Sequence, residues 1–247
     1  MIKTWHFAVI LMLLAGGCSE KDSTSEKLNQ AVTHARNGNW ELAAKNADSV
    51  AEEHPGTTAP MLLQALAYEK QGDLIKAVDL ARQCVHAAPD DFTSLYTLGR
   101  LYSLDQKRQG DAFATLEKAL LKKPEDTNTL ILLCNLGIMR QEPNTDKYLN
   151  LLKQKPEFST SRQLYFLLGM RQAEKRNFTA AKRFMMDALN KCGGVKDPDF
   201  IYEIACCFDR CRFPINETRK FYQLYIKSRG SKNPEKLLAA RKRLRQL

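Results

Sequence analysis

Small, apolar and helix-ending residues recur along the chain at a spacing of 34 positions. The pairs at this spacing are Gly38 and Gly72, Ala43 and Ala77, Ala47 and Ala81, Val50 and Cys84, and Pro55 and Pro89. Small residues let neighbouring helices approach closely, large apolar residues fill the space between them, and proline ends a helix. A fixed period of this length therefore predicts a stack of helical hairpins, each burying its apolar face against the next.

The repeated motifs resemble the tetratricopeptide repeat, whose pattern is W-x₂-L-G-x₂-Y, then A-x₃-F, then P. The first-helix motif is clearest in Leu95–Tyr102, where leucine stands at the tryptophan position. The second-helix motif is clearest in Gly72–Ala77 and in Asn177–Ala181. The resemblance implies an all-α fold, a right-handed α-solenoid of about six hairpins plus a C-terminal capping helix.

We predict that the repeats form one domain over residues 24–230. The predicted hairpins span residues 24–57, 58–91, 92–126, 127–158, 162–195 and 197–229. The fourth hairpin lacks the alanine pattern, and Pro143 is predicted to start its second helix. The sixth is the least regular, and Pro214 with Asn216 is predicted to open its second helix.

Residues 231–247 are predicted to form a basic C-terminal helix, capped by Asn233 and with Pro234 in its first turn. The last 21 residues hold eight basic residues and one acidic residue, a net charge of +7, whereas residues 18–226 carry only +2. Two interpretations stay open: the helix covers the last repeat, or it binds anionic lipid, cell-wall polymer or an acidic partner. The candidate polyanion-binding residues are Lys236, Arg241, Lys242, Arg243 and Arg245.

Residues 1–17 are predicted to be a signal peptide that is cleaved before Cys18. The apolar run over residues 5–15 has the length of a signal-peptide core and is too short to span a bilayer as a lasting helix. Residues 14–18 resemble the lipobox of bacterial lipoproteins, although Ala15 stands where the family prefers leucine. The resemblance implies that Cys18 is lipidated; an ordinary secretory leader is the alternative.

Residues 18–23 would then form the lipidated N-terminus and a short tether. Ser19, in place of an aspartate after the cysteine, resembles lipoproteins that are sorted to the outer membrane. We therefore expect a protein anchored to the bacterial outer membrane by lipid and facing the periplasm.

In the family, the first helices of successive hairpins line a concave groove that binds peptides or helices of a partner. Transferring that helix face by register predicts a mixed surface in which apolar and aromatic residues lie beside arginine, as binding hot spots favour. An alternative is that its apolar members pack against neighbouring first helices. The predicted partner-binding residues are Arg36, Leu62, Lys70, Tyr96, Arg100, Asn135, Phe166 and Met170.

Six cysteines follow Cys18, and export makes a disulfide a natural first idea. Cys207 and Cys211 are one helical turn apart, with Cβ atoms about 6 Å apart, which is too far for a disulfide. Cys84 and Cys134 replace small repeat residues and are expected in the core. Free thiols, a disulfide of Cys192, and a metal site on Cys206, Cys207 and Cys211 all stay open.

The composition, 44% hydrophobic and 27% charged, is that of a globular protein and excludes wholesale disorder. The chain has no phosphate-binding glycine loop, metalloprotease motif or nucleophile elbow, so we predict that it is not an enzyme and needs no cofactor or metal. Export and the confinement of the positive charge to the tail argue against a nucleic-acid partner.

These observations predict a scaffold that holds one or more envelope proteins or peptides in its groove, in the assembly of an envelope complex. The two alternatives are a binder of anionic lipid or cell-wall polymer through the C-terminal helix, and a thiol or metal protein that uses the Cys192–Cys211 region. The sequence predicts no oligomeric state.

Overall fold

The computed structural model describes residues 23–54, 56–191, 197–228 and 233–247. All regular secondary structure in these ranges is helical, which confirms the predicted all-α fold class. No helix within them is long and apolar enough to cross a membrane. The predicted signal peptide with Cys18, and Cys192 of the fifth hairpin, lie outside the described residues.

The chain divides into two compact units, unit 1 (Met1–Leu136) and unit 2 (Gly137–Leu247). Unit 1 contains three hairpins, each with a first and a second helix. They are α1 (Ser23–Arg36) with α2 (Trp40–Glu53), α3 (Thr58–Gln71) with α4 (Leu74–Ala87), and α5 (Phe92–Ser103) with α6 (Gln109–Lys122). A 3₁₀ turn at Gln106–Arg108 precedes α6. The boundary between the units falls within α7 (Thr127–Arg140).

Unit 2 continues the hairpin pattern. Its helices after α7 are α8 (Thr145–Gln154), α9 (Pro156–Ser159), α10 (Arg162–Glu174), α11 (Phe178–Lys191), α12 (Pro198–Arg210), α13 (Ile215–Lys227) and α14 (Pro234–Gln246). The six predicted hairpins and the C-terminal helix are all found in the predicted order, the third, fourth and fifth with small shifts of boundary. The sixth hairpin, the least regular in sequence, forms α12 and α13.

The fourth hairpin differs from the prediction at the start of its second helix. Pro143 does not begin α8; it precedes Asn144, which stands at the N-cap. The buried Thr145 hydroxyl donates a hydrogen bond of 2.6 Å to the carbonyl of Glu142, which fixes the turn before the helix. The short helix α9 after α8 was not predicted.

Side-chain caps fix the starts of several helices, because each accepts a hydrogen bond from a backbone amide of the first turn. The capping residues are Asp73, Asp91, Ser161, Asp197 and Asn233. Asn233 and Pro234 thus hold the positions predicted for them.

Close contact between the two helices of a hairpin explains the repeated small residues. A Cβ added at Gly99 of α5 would lie 2.7 Å from Leu116 Cγ of α6. The equivalent Gly169 of α10 faces Met185 of α11 at 3.0 Å. Because such distances leave no room for a methyl group without movement, glycine sets the approach of these helices.

The two units differ in the turns that follow their first helices. Gly38 and Gly72, after α1 and α3, have positive φ values of 82° and 86°. In unit 2, Gln141, Arg176 and Arg212 hold the same left-handed region with φ of 60°, 62° and 54°. This conformation costs a residue with a Cβ about 1–2 kcal/mol relative to the right-handed region, whereas glycine adopts it freely.

Candidate functional site

The predicted groove residues of unit 1 separate into interior and surface positions. Leu62 and Tyr96 are 1% and 0% exposed, so their side chains pack between helices and are not available to a partner. Arg100 is also buried, at 4% exposure. Arg36 and Lys70 are exposed. The alternative that apolar groove residues pack against neighbouring helices therefore holds for Leu62 and Tyr96.

Arg100 is buried because the preceding hairpin supplies its partner. Its guanidinium donates two hydrogen bonds to the carboxylate of Glu69, of 2.8 and 2.5 Å. Burial raises the pKa of the Tyr96 phenol. The charge of Arg100 opposes this rise, and the charges of Asp126 and Glu69 add to it. Arg100 therefore joins α5 to α3, and Tyr96 is a core residue of unit 1, so both have structural roles in place of the predicted binding role.

A cleft of about 680 Å³ lies beside the turns of the first two hairpins of unit 1. Lys70 lines it, with its ammonium 5.5 Å from the centre of the Trp40 ring. Leu42 on the same cleft is 47% exposed. An exposed apolar side chain, a tryptophan and a cation thus lie together on residues from two consecutive hairpins. Asn135, the sixth predicted groove residue of unit 1, is half-buried on α7.

The two predicted groove residues of unit 2 lie on α10. Phe166 is half-buried and packs edge-to-face against Phe200, with the ring centres 5.3 Å apart. Met170 is nearly buried and lines a cavity of about 320 Å³. The same cavity is lined by Cys207 and Cys211, which places two of the sequence-predicted thiols beside a predicted groove residue.

The thiols of Cys84, Cys206, Cys207 and Cys211 are free. A hydrogen bond with Cys207, helped by Arg210, lowers the pKa of Cys211 to about 7 against burial. The same hydrogen bond, together with burial, raises the pKa of Cys207. Cys206 points elsewhere and accepts a hydrogen bond of 3.8 Å from the Tyr222 hydroxyl. In the described part of the chain, no group of three or more ligating side chains could hold a metal ion.

The C-terminal helix α14 is docked on unit 2 by two of its five predicted polyanion-binding residues. Arg243 donates two hydrogen bonds to Asp209, of 2.7 and 2.8 Å, and lowers the pKa of that carboxyl. Lys236 pairs with Asp199 at 2.9 Å. The remaining three residues, Arg241, Lys242 and Arg245, are exposed and form no ion pair with another described residue.

The fold and these surfaces define a repeat protein of tandem helical hairpins. No family model matches the sequence. No curated protein matches it either. Solved structures of tetratricopeptide repeat proteins share this fold. A tetratricopeptide repeat protein from Parabacteroides merdae superposes with a TM-score of 0.74 and 14% identity over 91% of this chain and 86% of its own.

Two further solved structures agree. A thermophilic tetratricopeptide repeat protein from Thermus thermophilus, TTC0263, has a TM-score of 0.53 at 17% identity over 75% of this chain and 99% of its own. MamA from Desulfovibrio magneticus has a TM-score of 0.58 at 18% identity over 69% of this chain and 95% of its own. At these identities the similarity shows the fold, which is the fold that the sequence motifs predicted.

The sequence indicates the thiols of unit 2 but not the cavity that Cys207 and Cys211 line. The one indication in the sequence is the lack of glycine at three turns. Glycine follows α1 and α3, whereas Gln141, Arg176 and Arg212 follow α7, α10 and α12. Nothing in the spacing of these residues alone indicates that they line one cavity.

Proposed function

We propose that this chain is a non-enzymatic scaffold that binds a protein partner through the turn-side cleft of unit 1. The observation that carries the proposal is the cleft that joins Trp40 and Leu42 of one hairpin to Lys70 of the next. Tryptophan is one of the residues enriched at binding hot spots, and here it lies beside a cation and an exposed apolar side chain. The cleft lining holds one cation, Lys70, and one acidic residue, Glu41. The partner segment is therefore expected to place a carboxylate at Lys70 and an apolar residue against Trp40 and Leu42.

Photocrosslinking in cells tests this binding surface. A photoreactive residue at Leu42 is expected to capture one discrete protein, because this side chain lines the cleft and reaches solvent. The same residue at Leu121, which is also exposed but lies on α6 away from the cleft, is the matched control. The charge reversal Lys70→Glu should remove the Leu42 adduct. Identical adducts from both positions, or an adduct that survives Lys70→Glu, would contradict the proposal.

We further propose that lipid on Cys18 anchors this scaffold in the outer membrane, where it acts in the assembly of an envelope complex. The apolar run, the small residues before Cys18 and Ser19 after it support the proposal. Several acyl chains give durable anchoring, since each buried CH₂ contributes about 0.8 kcal/mol. Cys18→Ala should abolish incorporation of radioactive palmitate and release the protein from the membrane fraction. Retention of palmitate in that variant would overturn the anchor assignment.

A second candidate function, binding of anionic lipid or polymer, has its own observation. Arg241, Lys242 and Arg245 share one exposed face of α14 with Leu238, which is 70% exposed. Each cation near an anionic membrane surface contributes about 1 kcal/mol. Full-length protein should therefore bind phosphatidylglycerol vesicles and not phosphatidylcholine vesicles at low salt.

The triple change Arg241→Gln, Lys242→Gln and Arg245→Gln should remove this vesicle binding. The double change Lys236→Gln and Arg243→Gln is the control, because these two residues are already paired with Asp199 and Asp209. If the double variant loses binding and the triple variant keeps it, the exposed face is not the binding surface.

A further inference from the structure

Three successive turns of unit 2 converge on one cavity. Gln141, Arg176 and Arg212, which follow α7, α10 and α12 with positive φ, all line the cavity of about 320 Å³. The corresponding turns after α1 and α3 in unit 1 hold glycine. Unit 2 therefore places long polar side chains around a cavity at turn positions where a glycine would adopt the backbone conformation more easily.

The cavity has an excess of positive charge. Arg176, Arg210 and Arg212 line it, and none of these guanidiniums forms an ion pair with another described residue. The carboxylate of Glu174, the one acidic residue of the lining, is paired with Arg171 at 2.5 Å. The three arginines are exposed at the mouth of the cavity, and cations without carboxylate partners that line a cleft of one charge sign favour the binding of an anion.

The remainder of the lining is apolar or thiol. Ile138, Met139, Met170 and Ala173 give the cavity an apolar side that suits the carbon skeleton of an organic anion. Cys211 is half-buried at the cavity, and the nearly buried Cys207 lies one helical turn before it. A pocket of this size accommodates a small organic molecule.

The two thiols have different roles. The hydrogen bond between the two thiols lowers the pKa of Cys211 and, together with burial, raises that of Cys207, which favours Cys211 as the sulfur that ionises. A thiolate is the nucleophile in thiol–disulfide exchange, and nearby cations favour its formation. Cys211 thus combines access from the cavity with the ionisation state that exchange requires.

We propose that this cavity binds small anionic disulfides and that Cys211 is a site of mixed-disulfide formation. The thiolate of Cys211 attacks one sulfur atom of the bound disulfide, and the sulfur–sulfur bond of the ligand breaks. The other half of the ligand leaves as a thiolate, so that the disulfide is the oxidant and Cys211 is oxidised. The acidic groups of the ligand lie among Arg176, Arg210 and Arg212 during this exchange.

Cys207 cannot resolve the adduct in the folded protein. Residues one turn apart on a helix have Cβ atoms about 5–6 Å apart, whereas a disulfide requires about 3.5–4.5 Å. The mixed disulfide should therefore persist until an external thiol removes it. This inference is independent of partner binding in unit 1.

The experiment compares two aromatic disulfides that react with the full-length protein. One reagent, 5,5′-dithiobis(2-nitrobenzoate), carries two carboxylates, and the other, 4,4′-dithiodipyridine, is neutral. For each protein the ratio of the two second-order rate constants measures anion selectivity, because the intrinsic reactivity of the thiol enters both rates. Peptide mass spectrometry locates the adduct, expected at Cys211 and at one site per chain.

The double variant Arg176→Gln and Arg212→Gln should lower the ratio by about tenfold, the scale of electrostatic steering into a charged cleft. The matched control, Arg241→Gln and Arg245→Gln, removes the same charge from α14 outside the cavity and should leave the ratio within about twofold. Cys211→Ser should lose the fast phase with both reagents, whereas Cys206→Ser should keep it.

An unchanged ratio in the Arg176 and Arg212 variant would overturn the anion site. A fast adduct that maps to Cys206, or a fast phase that survives Cys211→Ser, would overturn the assignment of the thiol. Circular dichroism of each variant separates these outcomes from loss of folding. If the arginine variant does not fold, the wild-type protein is tested instead, by measuring the ratio of the two rate constants at different salt concentrations. A ratio that stays constant between 50 and 500 mM NaCl contradicts the proposal.

Discussion

Each unit buries a paired arginine, Arg100 or Arg171, but the turns after the first helices differ: two of them hold glycine in unit 1, whereas two hold arginine in unit 2. In unit 1, Arg100 is buried and paired with Glu69, and the turns at Gly38 and Gly72 carry no side chain. In unit 2, the turns carry Arg176 and Arg212 beside a cavity.

In this repeat fold, the residues that stabilise the packed helices and the residues that line a cavity occupy different positions. Among the described residues, five of the six hairpins have a left-handed residue in the turn after the first helix, and the turn after α5 has none. Glycine adopts this conformation at the lowest conformational cost. In unit 2, where larger residues occupy that position, Gln141, Arg176 and Arg212 all line one cavity. Repeats can thereby bring distant parts of the sequence to one cavity without any change in the helices.

The largest expected effect comes from the buried ion pair. Arg100→Ala should lower the free energy of unfolding by about 3–5 kcal/mol, because it leaves the Glu69 carboxylate buried without this partner. Arg171→Ala in unit 2 should cost less, about 2–3 kcal/mol, because its partner Asp146 is half exposed and regains water, whereas its second partner Glu174 stays largely buried. Urea denaturation measures both. Equal losses of unfolding free energy in the two variants would contradict the predicted difference between Arg100 and Arg171.

Helix contact gives the next largest effect. Gly99→Ala should lower the free energy of unfolding by about 1–3 kcal/mol, because the new methyl group meets Leu116 at 2.7 Å. Gly169→Ala should cost less than about 1 kcal/mol, since flexible Met185 can move away. Thermal melts of the two variants check this order, and a larger loss at Gly169 would reverse it.

Exchanging the turn residues between the units tests the comparison directly. Gly72→Arg should cost about 1–2 kcal/mol, all of it from the backbone, because open space surrounds the position. Arg176→Gly should change the free energy of unfolding by less than about 1 kcal/mol. Glycine adopts the left-handed backbone without cost, but it also increases the conformational entropy of the unfolded chain, and the two effects offset each other. Urea unfolding in both variants is the measurement, and a strong loss in Arg176→Gly would show that this arginine stabilises the fold.

The smallest effect is a pH dependence in unit 2. Hydrogen bonds from Arg171 and Lys175 lower the pKa of Asp146 to about 2, from an ordinary value of 3.8. A lowered carboxyl pKa contributes stability above pH 4, and this contribution is lost as the pH falls towards 2. Because Asp146 is half exposed, solvent screening keeps the contribution below about 1 kcal/mol. Asp146→Asn should flatten stability in this window and leave it unchanged elsewhere.

The hairpins could be predicted from sequence because their determinants are local and repeated. Glycine, alanine and proline at a 34-residue period set the close helix contacts and the helix ends, and Asn233 with Pro234 starts α14 as predicted. The short helix α9 and the position of Pro143 before α8 depend on contacts of the fourth hairpin, where the repeat pattern is weakest.

The binding residues could be predicted less well. The register of a first helix does not separate interior from surface when neighbouring first helices pack together, so Leu62 and Tyr96 were assigned to a surface they do not reach. The burial of Arg100 depends on Glu69, 31 positions earlier. The unit 2 cavity depends on three turns about 35 residues apart, and no local pattern indicates that they converge.

The most direct test of the cavity is the pH dependence of the reaction of Cys211 with the neutral disulfide. A neutral reagent reports the thiolate fraction alone, without attraction by the arginines. We expect the rate to be half-maximal well below pH 9 in the wild type, and to move to higher pH in Cys207→Ala, because that variant lacks the hydrogen bond that lowers the pKa of Cys211. A midpoint near 9, the ordinary value for this thiol, would contradict the account.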